Sequence, residues 1–310
     1  MSFPPVLPPL HVGGPEPTGP YYTHWFLDPK IAVAVFGLTA LYLLWVGPLN
    51  RRRPGAESRP VTTREVVCFL SGSLTALVAL GPPIDDWSHF FFSSAHMFQH
   101  LLLILLATPL WIAGTPAWVY RPLVRNRATN WFFRRMLNPV PAFIAANMIN
   151  AIWHFPMMYD LALRHEIWHT TQHVCFVIAG VLLWWPLMSK VPEWPRLAPP
   201  MQALYIFLQA IPTGIIGAML TYGGPVYDHY ALASVRPWGI SLKEDQEIAG
   251  LQMWVGMNAV FLAVASVIFL KWAVREAEDD DAALLEKTRA RRRRAEIAAF
   301  AAAQESQTHP

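Results

Sequence analysis

Seven stretches of this chain are apolar over membrane length, at 25–48, 64–82, 88–113, 139–155, 166–187, 200–222 and 247–271. A hydrocarbon core of about 30 Å takes roughly 20 helical residues to cross. Lipid offers no partner to a bare N–H or C=O, so a chain of this kind spans as helices whose peptide groups satisfy one another. The sequence therefore predicts an all-α integral membrane protein built as a seven-transmembrane helix bundle, with the fourth stretch the shortest. Composition agrees: 54% of the 310 residues are hydrophobic and 15% charged, too apolar a balance for an ordinary soluble domain.

Lysine and arginine give the direction of threading. Twenty of the 24 basic residues fall in loops 49–64, 114–138 and 188–199 and in the tail from 271. Lys30, Arg164, Arg236 and Lys243 lie on the other side. The positive-inside rule then predicts an outer N-terminus and a cytoplasmic C-terminus. Three regions follow: a Pro/Gly-rich outer segment at 1–24, a membrane domain at 25–272 and a charged cytoplasmic tail at 273–310. Residues 1–22 lack the basic and apolar regions of a cleavable signal, so the first span is expected to act as its own insertion signal. In the tail, Glu276 to Asp281 precede Arg291 to Arg294 among alanines, which reads as a solvated helix or a disordered extension whose basic run can touch anionic lipid. Cys68 and Cys175 sit in different spans without C-x-x-C spacing, which disfavours a disulfide framework or zinc knuckle. Nucleic acid is not an expected partner.

Within the third and fifth spans one signature recurs. His96-Met97-Phe98-Gln99-His100 and His169-Thr170-Thr171-Gln172-His173 both read H-x-x-Q-H. Histidines at i and i+4 share a helix face about 6 Å apart along the axis, a spacing suited to a metal or cofactor. Ionisable groups are costly in lipid, so two matching pairs in the outer halves of their helices point to a site. His154, ending the fourth span on the same side, is a further candidate. His89, His165 and His229 fall near the interface, where solvation by water is the expectation. Imidazole suits copper, zinc, iron and haem alike, whereas the methionines of the outer halves favour Cu(I). Met253 is a better candidate than Met97, which points about 100° away from His96. Gln99 and Gln172 are expected to orient an imidazole through its second nitrogen.

Enzymatic readings fare poorly. H-M-F-Q-H has zincin spacing without the glutamate that would serve as base. Asp85 and Asp86 read as a solvated turn after Pro82-Pro83, although a His-Asp hydrolase would need such a pair. The sequence holds no phosphate-binding glycine loop, nucleophile elbow or C-x-x-C-H. The expectation is a protein that is not an enzyme. Asp245 and Gln246 open the seventh helix, where N-terminal capping and a site role are both open. Pro109, Pro186 and Pro212 should kink spans three, five and six and free carbonyls that the bundle must satisfy. Gly214, Gly217 and Ala218 permit a close helix approach there.

Taken in order, further residues resemble one family. After H-M-F-Q-H come Thr108-Pro109-Leu110 and Gly114-Thr115-Pro116, then Trp153-His154-Phe155-Pro156-Met157-Met158-Tyr159. His169 and His173, Trp184-Trp185-Pro186, Pro212-Thr213, Gly217-Ala218 and Pro225-Val226-Tyr227 follow. Asp245-Gln246-Glu247-Ile248-Ala249-Gly250 leads to Met253-Trp254. From about residue 30 to 272 the chain resembles the CtaG family of multi-span assembly factors for caa-type haem–copper cytochrome c oxidases, distinct from the single-span copper chaperone sharing that name. The resemblance implies a bacterial inner (cytoplasmic) membrane protein, in which the outer N-terminal segment of the charge argument is periplasmic. It implies handling or delivery of copper for the oxidase binuclear centre, with the oxidase subunit and a periplasmic copper donor as partners. By motif position it implies His96, His100, His154, His169 and His173 as metal ligands, and Asp245 and Gln246 as lining the same outer cavity. Two other readings stand beside it: a haem-binding membrane electron carrier with axial histidines from helices three and five, and, ranked below it, a zinc-dependent hydrolase.

Overall fold

The computed structural model describes residues 27–51, 61–233 and 235–308. Segment 1–24, His11 and His309 lie outside the described residues. Every regular element among those residues is helical. The long ones are α1 (Pro29–Val46), α2 (Thr63–Ala79), α3 (Ser93–Gly114), α4 (Pro139–His154), α5 (Glu166–Met188), α6 (Pro199–Tyr222) and α7 (Leu242–Glu296). Local chemistry starts them. Asp28 caps α1 by accepting from the Lys30 amide at 2.8 Å. Thr62 with Glu65, and Ser241 with Glu244, form reciprocal capping boxes at α2 and α7. Proline opens α1, α4 and α6, where its missing N–H costs nothing.

Among the described residues, six helical segments are long and apolar enough to cross a membrane. The fourth expected span is not among them. It folds as the 16-residue α4, about 24 Å long, against a hydrocarbon core of about 30 Å. Phe155 leaves the helical region after it, and Pro156 opens a new short helix, Pro156–Arg164. The beginning of α4 packs with Trp185 and Trp194 near the end of α5. The tail continues α7 as one helix to Thr308.

The bundle is apolar outside and partly polar inside. Val33, Phe36, Leu74, Ile144, Phe207, Ile215 and Leu262 are exposed, whereas His96, Gln99, His100, Gln172 and Asp245 are buried. That inversion belongs to a multi-pass membrane protein, where lipid solvates the exterior and polar groups must find partners within. α3 lies at the centre, packed on α2, α5 and α7. A Cβ at Gly217 would lie 2.8 Å from the Trp254 Cβ, so only glycine allows α6 and α7 to cross this closely.

Two π-helical segments interrupt the long helices, Leu102–Ala107 in α3 and Gln252–Gly256 in α7. The first begins two residues after His100, and the second contains Met253. The Thr108 amide bonds five residues back to the Leu103 carbonyl. In that register Pro109 cannot supply the next bond, and the Ile104 carbonyl is filled instead by the Trp184 indole N–H at 2.8 Å.

Candidate metal centre

The starts of α3 and α5 meet at one end of the bundle, so their histidine pairs face each other. Ring centroids are 4.3 Å apart for His96 and His100 and 4.2 Å for His169 and His173. Across the helix boundary His96 lies 5.4 Å from His169 and 6.2 Å from His173, and His100 lies 5.7 Å from His173. One ring nitrogen each of His96, His169 and His173 falls within 4.8 Å of the other two. Imidazoles sharing an ion at roughly 2.0 Å per nitrogen put their centroids about 5–6 Å apart. The pairs between helices already have that spacing, and the pairs within each helix need to open by about 1 Å.

These rings are buried, and His96 is wholly inaccessible. Nε2 of His96, His169 and His173 and both nitrogens of His100 lack a hydrogen-bond partner. Buried imidazole nitrogens are normally satisfied. A cluster of them converging on one point fits an ion supplied from outside the chain.

Tyr230 fixes the protonation pattern at His96. Its hydroxyl donates to the Ser88 carbonyl at 2.6 Å and lies 3.3 Å from His96 Nδ1 and from the Tyr159 hydroxyl. A phenol has one proton, so towards His96 the oxygen accepts from Nδ1–H and Nε2 keeps its lone pair. Burial pushes the Tyr230 pKa well up, which keeps the phenol neutral.

His154 stands apart from the four rings. Its Nδ1 donates to the Asn150 carbonyl at 2.7 Å, leaving Nε2 unpartnered. Between it and the cluster lies Phe176, whose ring is 5.9 Å from His154 and 4.1 Å from His100. The expected set of five thus separates into a triad, His100 beside it, and His154 beyond an aromatic ring.

Several expectations need correction. Gln99 does not orient an imidazole: its Nε2 donates to Asp85 Oδ1 at 2.9 Å, tying α3 to the short helix Ile84–Phe90. Gln172 is buried with neither amide atom partnered. Asp85 and Asp86 form the first turn of that short helix, not a solvated turn, and Asp86 is buried. Asp245 caps the start of α3, not of its own helix. It accepts from the amides and hydroxyls of Ser93 and Ser94 at 2.5–3.1 Å. Gln246 is likewise engaged, accepting from the Val226 amide and donating to the Leu220 and Gly224 carbonyls. Both residues hold helix ends and a loop. Met253 packs with Met97, Tyr159 and Tyr227 in an apolar cluster.

His89 and His229 are not solvated interfacial residues. Both are buried, and His89 sits with its ring centroid 4.2 Å from that of His169. His229 donates from Nε2 to the His89 carbonyl at 2.8 Å, and burial lowers its pKa against the opposing effect of that bond. His165 is exposed, as expected. His89, Tyr159 and Tyr230 carry no spacing signal, because separate segments bring them to the cluster.

A helical bundle with a lipid-compatible exterior and converging buried imidazoles defines a multi-pass membrane protein with an interior suited to an ion. Within that class the sequence is specific: residues 40–275 match the cytochrome c oxidase caa3 assembly factor family (Caa3_CtaG), and the chain belongs to it. No curated protein and no solved structure matches the chain.

Proposed function

We propose that this assembly factor binds copper at His96, His169 and His173 and passes it on for the binuclear centre of a cytochrome c oxidase. The ion is cargo, not a resident cofactor, and the chain is not an enzyme. The observation that carries the reading is the buried triad, with one ring nitrogen of each histidine within 4.8 Å of the others and all three Nε2 atoms unpartnered. Neutral imidazoles bind Cu(I) and Cu(II) well, and family membership supplies a client that needs copper. Zinc is the weaker choice, since Asp85, Asp160 and Asp245 are each engaged elsewhere and leave no base beside the rings. Haem fits less well. Two axial imidazoles must face each other across a flat macrocycle, whereas here a third ring crowds the same point.

The orientation argument puts this cluster in the outer half of the bundle, in a bacterial inner membrane. Copper would come from a periplasmic donor and leave to an oxidase subunit. The test is metal analysis with an optical spectrum on detergent-purified protein, beside a variant with His96, His100, His169 and His173 changed to Ala. Copper held by the wild type, lost from the variant and unaccompanied by a Soret band supports the reading. A Soret band lost on the same changes replaces it with a haem protein, and absence of both leaves a scaffolding role.

A further inference from the structure

The cluster does not end at the triad. His89 belongs to the short helix Ile84–Phe90, outside α3 and α5, yet its ring is as close to His169 as His173 is, 4.2 Å in each case. The rings therefore run in sequence from His89 to His169, then to His173 and His96, and on to His100. Hydrogen bonds from residues 229–236 pin the backbone around His89. The His229 Nε2 donates to His89 O, the Tyr230 hydroxyl to Ser88 O at 2.6 Å, and Arg236 to Phe91 O at 3.3 Å. Three side-chain hydrogen bonds to consecutive parts of this backbone fix the segment that carries the imidazole.

We propose that His89 is the receiving ligand of the cluster: it binds an incoming Cu(I) ion together with His169 and hands it to His96 and His173. The proposal rests on the copper reading above and adds a route to it. Each step is a ligand exchange with no change of oxidation state. A Cu–N bond to His89 forms as the bond to the donor breaks. Bonds to His96 and His173 then form as the bond to His89 breaks, every imidazole staying neutral. Adjacent rings at 4.2–6.2 Å let a new bond form before the old one is lost.

The test uses the full chain in detergent, loaded with one equivalent of Cu(I) and challenged with a water-soluble Cu(I) chelator whose absorbance reports transfer. His89→Gln keeps size and hydrogen bonding but is a poor Cu(I) ligand, and His89→Met restores a ligating sulfur. The expected result is one copper per chain in both variants. Exchange should be about tenfold or more slower in His89→Gln and near the wild-type rate in His89→Met. Exchange at the wild-type rate in His89→Gln overturns the proposal, as does equal slowing in both variants, which marks a packing role. Loss of copper from His89→Gln at equilibrium overturns it too, by making His89 a permanent ligand. A wild type that holds no Cu(I) is the separate failure of the copper reading itself.

Discussion

The Tyr230 hydroxyl lies 3.3 Å from His96 Nδ1 and 2.6 Å from the Ser88 carbonyl, so one phenol both anchors a loop and sets the tautomer of a buried imidazole. Tyr230→Phe keeps the ring and removes both contacts. Without the acceptor, His96 is free to carry its proton on Nε2, where a metal would bind. Cu(I) affinity is expected to fall about 10–100-fold, measured by competition with a chelator of known affinity. Unchanged affinity would mean that the tautomer is fixed by something other than Tyr230.

Asp245 holds the beginning of α3, and with it the register of His96 and His100. Its carboxylate takes two backbone amides and two hydroxyls from Ser93 and Ser94, in a place where water cannot replace it. Asp245→Ala leaves these donors buried and unpaired, at about 1–3 kcal/mol each where no rearrangement rescues them. The helix N-terminus also loses a compensating negative charge. The variant should lose its cooperative thermal transition or melt far below wild type in detergent, with Asp245→Asn in between. A variant melting with the wild type would show that the serines find other acceptors.

How much of this was legible in the sequence follows the range of each interaction. Hydropathy is local, so the helical membrane class and most helix positions could be read directly. The i, i+4 pairs are local too, which is why His96, His100, His169 and His173 stood out. The fourth stretch, read at 139–155, folds as a helix at 139–154, and Phe155-Pro156 keeps it short of a full crossing. His89 and Tyr230 could not be found, since the contacts that bring them to the cluster join residues about 80 and 134 apart in sequence. Asp245 was visible as a residue near a helix start, but which helix it caps is decided 152 residues away. Gln99 was misread because its amide goes to Asp85 in a segment that the sequence presented as a turn.

The bond from Trp184 to the Ile104 carbonyl spans α5 and α3 at the π segment and repairs the gap left by Pro109. Trp184→Phe retains an aromatic ring in the core but strands that carbonyl away from water. A loss of about 1–3 kcal/mol is expected, read as a lowered unfolding midpoint in a denaturing detergent titration. Replacing Pro109 by Ala in the same background should recover part of it, because the restored N–H can take up the carbonyl. If the double variant is no more stable than Trp184→Phe, the repair argument fails.

Acid should weaken the protein through His229, which lies outside the spanning helices. Burial lowers its pKa below the ordinary value of 6.5, so the folded state takes up its proton less readily than the unfolded chain. Stability linked to this residue is therefore fully present above about pH 6.5 and is lost as pH falls through that value towards the lowered one. Protonation would leave Nε2–H on the His89 carbonyl intact but bury a charge, a cost that outweighs the help of that bond and of Asp160 and to which Arg164 adds. Thermal midpoints of wild type and His229→Gln, compared between pH 7.5 and 5, should converge on acidification, because the glutamine variant lacks this titration. Parallel curves would assign the acid sensitivity to other groups and remove His229 from the account.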